Sequence, residues 1–223
     1  MCGRYSNTLS PKKIAQELGI DIKEVPPLKP RYNIAPSDPV ACLVKNSKLK
    51  VDIFVWGLIP SWAKDLAIGN QMINVRAETV AEKPSFKGPF KNKRCLVLAD
   101  GFYEWKKQGK YKTPYYFRLK SGNLIGFAGI WSDWMSKEGS EIKSCAIITG
   151  EPNDLVREVH ERMPVIIPRK EFDTWLDCSS YDAKRLQALL KPYPRDEMEA
   201  FPVSQLVNDP KNDIPDCRLA LRN

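Results

Sequence analysis

The sequence predicts an α+β fold with a β-rich, partly closed barrel-like core and helices outside it. Three observations predict this. Short apolar runs recur between residues 40 and 149, several alternating with a period of two; glycine-bearing turns separate some of them; and helical signals are confined to one stretch near the start and to the last third of the chain. Of the 223 residues, 43% are hydrophobic, enough for a substantial core without disulfide staples. No repeat, low-complexity segment or long linker offers a place to cut, so residues 1–223 are expected to form one domain.

The first element is a short helix. Ser10 supplies the N-cap and Pro11 the first helical position; Ile14, Ala15 and Leu18 form the apolar face, and Gly19 the stop. The proline-rich residues 25–30 read as an extended loop. Residues 40–44 and 49–55 read as paired strands, the second alternating Leu49, Val51, Ile53 and Val55. Further strands are expected at 72–75, 94–99, 102–106, 115–119, 124–130 and 145–149. Gln108-Gly109 and Ser121-Gly122 supply turns between them. Helices follow near 153–159, 170–176 and 181–190, and residues 163–167 and 200–204 return to the sheet.

No apolar run approaches the roughly 20 residues needed to cross a bilayer, and Met1-Cys2-Gly3-Arg4-Tyr5 lacks an apolar signal core, so a cytoplasmic location is expected. Six cysteines stand at 2, 42, 95, 145, 178 and 217 with no CxxC pair. Cys42, Cys95 and Cys145 lie inside apolar runs, where a free thiol is a small hydrophobe. With one histidine in the chain, neither a zinc site nor another cofactor is expected. A net charge of +8 favours a polyanionic partner without identifying one.

Cys2 stands where initiator methionine is removed, because its side chain is small. Removal would leave an α-amine and a thiol on adjacent carbons, a pair that captures an aldehyde as an imine and closes it to a thiazolidine. An α-amine has a pKa of about 7.7–8.0 against about 10.4 for lysine, so at neutral pH it is uncharged about 10²–10³ times more often. Arg4 is expected to help activate the thiol. By itself Cys2 is also consistent with an incidental second residue. His160 is the only histidine, hence the only side chain that titrates near neutrality unperturbed; a lone surface histidine is the plainer alternative. Glu104, between Tyr103 and Trp105, is a candidate general acid if desolvated, or an exposed strand carboxylate paired with Lys106. Asn74 interrupts an apolar run and, if buried, must be hydrogen-bonded; a turn or cap role stays open.

Arg4, Trp56, Trp62, Arg76, Trp105 and Arg162 interleave cations with flat side chains, the mixture that single-stranded DNA binding requires. Trp62, after Pro60-Ser61, is the candidate for a surface stack. Trp131, Trp134 and Trp175 are expected in the core or at its margin.

Six ordered motifs then combine: Met1-Cys2-Gly3-Arg4-Tyr5, Arg31-Tyr32-Asn33-Ile34-Ala35-Pro36-Ser37, Val55-Trp56-Gly57-Leu58-Ile59-Pro60-Ser61-Trp62, Asn74-Val75-Arg76-Ala77-Glu78-Thr79, Ala99-Asp100-Gly101-Phe102-Tyr103-Glu104-Trp105 and His160-Glu161-Arg162-Met163-Pro164. With Pro202-Val203-Ser204 and Val207-Asn208, they resemble the SRAP (SOS response-associated peptidase) family of abasic-site sensors, from residue 2 to about 208. The tail, 209–223, lies outside the motifs. The resemblance implies a compact SRAP fold and a basic cleft for single-stranded DNA. It also implies that Cys2 forms a thiazolidine crosslink with the abasic-site aldehyde, shielding the lesion. Glu104 matches the acid/base for imine formation and crosslink reversal, His160 the residue that protonates the opened deoxyribose oxygen, and Asn74 the amide that orients the adduct. Arg4, Trp62, Arg76, Trp105 and Arg162 match positions near the DNA, with Pro36, Ser37, Thr149 and Ser204 as looser matches. The lysine-rich stretch 83–94 receives no individual assignment. A monomer is expected, associated with the nucleoid when bound to DNA.

Three rivals remain from the residues alone. An N-terminal-nucleophile amidohydrolase also uses an N-terminal thiol but gives Glu104 and His160 no work. A non-catalytic single-strand binder predicts no covalent product. A thiol peptidase fits the family's title, through removal of its own N-terminal Met or reversal of the crosslink.

Overall fold

The computed structural model describes residues 2–136 and 139–221. Twelve strands are assigned: β1 (Tyr5–Asn7), β2 (Arg31–Ile34), β3 (Pro39–Lys45), β4 (Leu49–Trp56), β5 (Asn74–Arg76), β6 (Arg94–Ala99), β7 (Gly101–Gln108), β8 (Tyr111–Leu119), β9 (Ile125–Met135), β10 (Glu141–Gly150), β11 (Met163–Pro164) and β12 (Met198–Pro202). Among the described residues five α-helices accompany them: α1 (Pro11–Leu18), α2 (Pro84–Asn92), α3 (Asp154–Arg157), α4 (Phe172–Leu176) and α5 (Ala183–Leu189).

The strands form two sheets. One is antiparallel and open, in the order β12-β8-β7-β1-β2. In the other, β3, β4, β10, β9 and β6 pair in sequence and β6 returns to β3, so the ring closes. The expected partial closure is therefore complete in this sheet, and its five ring strands have no free edge. Only the β4–β10 contact within the ring is parallel, and β5 and β11 dock onto β10 outside it.

Alternation along the ring strands divides the core. Leu43, Leu96, Leu98, Ala128, Ile130 and Ile148 face the helices, meeting Ile14 of α1, Phe90 of α2 and Trp175 of α4. The opposite set includes Cys42, Cys95, Val97, Phe127, Cys145 and Ile147. The Cys42 and Cys145 sulfurs lie 3.8 Å apart although β3 and β10 are not neighbours, so this set points into the barrel. All three thiols are buried and free, as small hydrophobes. Tyr5, Phe102 and Phe117 of the open sheet join the same cluster, with the Tyr5 ring edge-on to Trp56 (5.2 Å) and Phe127 (5.8 Å). Each buried aromatic contributes about 1.5–3 kcal/mol, so the N-terminal strand is fixed by packing as well as pairing.

The predicted cap and stop of α1 are present: Ser10 Oγ accepts from the Lys13 N–H at 3.2 Å, and Gly19 adopts φ 67°. Three elements are longer or later than their sequence signals. The β9 strand runs past 130 to Met135, β10 begins at Glu141, and β5 begins at Asn74 because Met72 still belongs to the preceding turn. Strands β1 and β2 were not predicted; at three and four residues they are too short to show alternation. Nor was α2, which starts at Pro84 and holds Pro89 inside. Proline after the first turn normally argues against a helix. Tertiary contact overrides that here, because Phe86 and Phe90 are buried in the helix-facing cluster.

Gly101 opens β7 with no room for a side chain: a Cβ there would lie 2.3 Å from the Tyr116 ring. The close approach lets Tyr116 reach Ser6 and Asp100 beneath the strand. No helix among the described residues is long and apolar enough to cross a membrane.

Candidate functional site

Four elements converge on Cys2. The residue precedes β1, is fully buried, and its thiol faces the Arg4 carbonyl at 3.8 Å. Asn74, the first residue of β5, donates from Nδ2 to the Cys2 carbonyl at 2.7 Å. It is held there because β5 pairs with β10, Asn74 opposite Ile147. The Asn74 Oδ1 is buried with no hydrogen-bond partner among the described residues. An amide anchored through its NH₂ thus holds an acceptor ready inside the site.

Glu104 comes from β7, which pairs with β1 and so brings the carboxylate to the same end. It is 3% exposed. Desolvation pushes its carboxyl up from 4.5 to about 7, against a pull from the chain's amino-terminal charge. The alternative of an exposed carboxylate paired with Lys106 is thereby ruled out. His160 follows α3, with Nε2 3.8 Å from Glu104 Oε2. Its Nδ1 lies 3.0 Å from the Arg162 backbone N and 3.2 Å from the Arg162 carbonyl oxygen, so the main chain of Arg162 fixes the ring whichever nitrogen carries the proton. Burial lowers the His160 pKa, favouring the neutral ring.

The Cys2 thiol departs from expectation. Burial, reinforced by the Glu104 charge, pushes it well above the usual thiol range. Arg4 does not activate it: the guanidinium turns away, donating from Nη1 to Asn33 Oδ1 (2.8 Å) and the Val207 carbonyl (2.7 Å). A thiolate at neutral pH is therefore not what this site supplies. It supplies a protonated thiol beside a carboxyl poised to exchange a proton near pH 7.

The residues expected near DNA fall into two groups. Arg76 and Ser37 are exposed, Trp62 is 62% exposed, and Pro36 and Trp105 are partly exposed. Ser37 has φ 73°, unusual for a non-glycine, and its hydroxyl bonds Asn70. Trp105 donates from Nε1 to Asn208 Oδ1 at 2.7 Å, and the Arg4 guanidinium lies 5.9 Å from its ring.

The other group is committed to internal contacts. Arg162 forms a two-pronged pair with Glu78 and donates to the Thr149 carbonyl. Thr149 is fully buried, so it supports Arg162 from below and is no surface contact. Ser204 caps a short 3₁₀ turn through the Leu206 N–H. Trp56 is fully buried against Tyr5, which removes it from any stacking surface. Trp175 is core, while Trp131 and Trp134 are at the margin, as expected.

Two roles were not evident beforehand. Asn33 is fully buried, and its amide reaches the carbonyls of Val207, Asp209 and Asn212 while its oxygen holds Arg4. Glu78 fixes Arg162, which lowers its carboxyl pKa. Both lie within the sequence motifs, but their partners are far along the chain and only folding reveals them.

Two grooves flank His160. One, about 420 Å³, is lined by Glu104, Trp105, Lys107, Lys112, Val159, His160 and Glu161. The other, about 460 Å³, runs along Glu151, Pro152, Arg157 and the same loop. A groove of similar size, about 470 Å³, beside Pro168 and Tyr193 holds none of the site residues. No group of three or more His, Cys, Asp or Glu among the described residues could hold a metal ion.

Residues 1–210 match the family model "SOS response associated peptidase (SRAP)". The chain is 44% identical over 220 residues to the abasic site processing protein YoqW of Bacillus subtilis (strain 168), covering 97% of this chain and 98% of that one. It is 31% identical over 222 residues to abasic site processing protein HMCES of Gallus gallus, covering 85% of this chain and 66% of that longer protein. A crystal structure of a protein from Bacteroides thetaiotaomicron superposes with a TM-score of 0.87 at 28% identity, covering 99% of this chain and all of that one. By sequence along nearly its whole length and by fold, the chain belongs to the SOS response associated peptidase (SRAP) family.

Proposed function

We propose that this protein processes abasic sites in single-stranded DNA by forming a thiazolidine crosslink through Cys2 once Met1 is removed. The observation that carries the reading is the raised Glu104 carboxyl within the Cys2–Asn74–His160 cluster. The relatives named as abasic site processing proteins support the substrate class.

The chemistry follows from the protonation states. The neutral Cys2 amine adds to the aldehyde carbon of the open deoxyribose to give a carbinolamine. Glu104, protonated for much of the time near pH 7, gives its proton to the departing hydroxyl, and water leaves as the imine forms. The buried thiol then adds to the imine carbon. Its proton has to go as the carbon–sulfur bond forms, and the Glu104 carboxylate just generated receives it. Nitrogen ends protonated as the ring amine, so one water is released per crosslink and the carboxyl is restored. Run backwards, the same transfers reverse the crosslink. Neutral His160, with Nε2 3.8 Å from Glu104, serves the sugar oxygen, and Asn74 offers Oδ1 to orient the adduct. Exposed Arg76 and Trp62, with Trp105 at the groove and Arg4 against its ring, supply phosphate attraction and stacking, and Ser37 and Pro36 offer further exposed surface.

Incubation of Met1-free protein with single-stranded DNA bearing one abasic site is expected to give a denaturation-resistant complex, heavier by the DNA less one water. Binding of intact and abasic DNA alike with no covalent product would replace this reading with that of a simple binder.

A further inference from the structure

The groove that begins at Glu104 and His160 ends on two lysines with no place in the chemistry above. Lys107 and Lys112 are directly opposite one another on β7 and β8, and both are exposed. Like charges placed opposite across a hairpin are destabilising, and neither ammonium has a carboxylate partner among the described residues. A two-residue turn sets this register, with Gly109 at φ 62° in its first position. Strand pleat puts Lys107 on the same face as Trp105, two residues back. The groove of about 420 Å³ is lined from this hairpin by Glu104, Trp105, Lys107 and Lys112 and across from it by Val159, His160 and exposed Glu161.

We propose that Lys107 and Lys112 form a phosphate clamp that holds the backbone of the DNA strand beside the lesion. An uncompensated pair of cations has its natural counterpart in a phosphodiester, and Trp105, on the same strand face as Lys107, supplies a stacking surface. Holding the strand there limits where the aldehyde can sit relative to Cys2. The proposal rests on the cleft being a nucleic-acid site and adds which side chains grip the backbone.

The test measures binding of intact single-stranded DNA across a salt series, which requires no covalent step. For Lys107→Ala/Lys112→Ala, the slope of log affinity against log salt is expected to shrink by about 0.7–1.4, according to whether one or two phosphates are held. Extrapolated from equal affinity at 1 M salt, that is binding about 5- to 25-fold weaker at 0.1 M. Lys107→Arg/Lys112→Arg should retain the wild-type slope. Lys83→Ala/Lys87→Ala removes the same charge from the exposed side of α2 and should leave the slope nearly unchanged. An unaltered slope in the hairpin variant, or an equal loss in the α2 variant, overturns the clamp. Absence of a crosslink between wild-type protein and abasic DNA would count against the crosslinking function alone, since the slopes still decide the lysine pair.

Discussion

Two carboxylates with buried side chains, Asp100 just before β7 and Glu104 within it, lie four residues apart and meet opposite fates. Asp100 is 8% exposed on its side chain and accepts from the Ser6 hydroxyl (2.5 Å), the Thr8 N–H (3.0 Å) and hydroxyl (2.5 Å), and Arg218 Nη1 (3.0 Å). Its charge is matched by donors, and it ties β1 to the C-terminal segment. Glu104 is buried as deeply, yet desolvation dominates and its carboxyl titrates near 7. Burial compensated by donors makes an anchor, whereas burial that outweighs its compensation makes a group able to give and take a proton at neutral pH.

The largest effect expected on that contrast is from Glu104→Gln. Crosslinking in single turnover should slow by about 10²–10⁴-fold, the usual worth of a positioned acid/base, with affinity for intact DNA held within about twofold. Equal loss of rate and affinity would make Glu104 an anchor like Asp100.

Asp100→Ala should do the converse. Removing the acceptor leaves Arg218 Nη1 with Thr8 Oγ1 and the Ser6 hydroxyl with Tyr116, and unpairs the Thr8 N–H, at a cost of about 2 kcal/mol, below the roughly 3–5 kcal/mol for breaking fully buried pairs because Arg218 is about a third exposed. Urea unfolding should show it, and the protein that remains folded should still crosslink. Unchanged stability would mean that the C-terminal segment is anchored elsewhere.

A pH series sharpens the comparison. Folding raises the Glu104 carboxyl from 4.5 to about 7, so the folded state keeps a proton that the unfolded chain releases between those values. Stability from this group is full below about pH 4.5 and is lost as pH rises through about 7. Glu104→Gln should flatten that fall, by an amount on the order of a few kcal/mol; parallel wild-type and variant curves would rule it out. Crosslinking should follow a bell, rising as the amine deprotonates and declining as Glu104 ionises.

The smallest effect is expected at Asn74. Asn74→Ala removes the 2.7 Å bond to the Cys2 carbonyl and should lower the crosslinking rate about tenfold, the worth of roughly one hydrogen bond, with little change in DNA affinity. A loss as large as that of Glu104→Gln would move Asn74 from orientation into the proton transfers.

Much of the fold was legible locally. Ser10, Pro11 and Gly19 mark α1 because capping is decided within a few residues, and the alternation from Leu49 to Val55 marks β4 because a half-buried strand writes its period into the chain. Strands β1 and β2 were illegible, since three or four residues carry no period and both are stabilised by partners distant in sequence. Helix α2 was hidden by its own Pro89 and revealed by where Phe86 and Phe90 pack.

The same division runs through the site. Sequence alone determined which atoms are available: one cysteine placed to become an aminothiol, one histidine, and motifs that identify the family. Tertiary structure decided their states. The Cys2 thiol is held protonated, Arg4 is turned toward Asn33, Thr149 is sealed beneath Arg162, and the Glu104 carboxyl rises to about 7. Residue identity is local, but a proton's free energy depends on the water removed and the charges brought near, and both are set by strands that meet only in the folded chain.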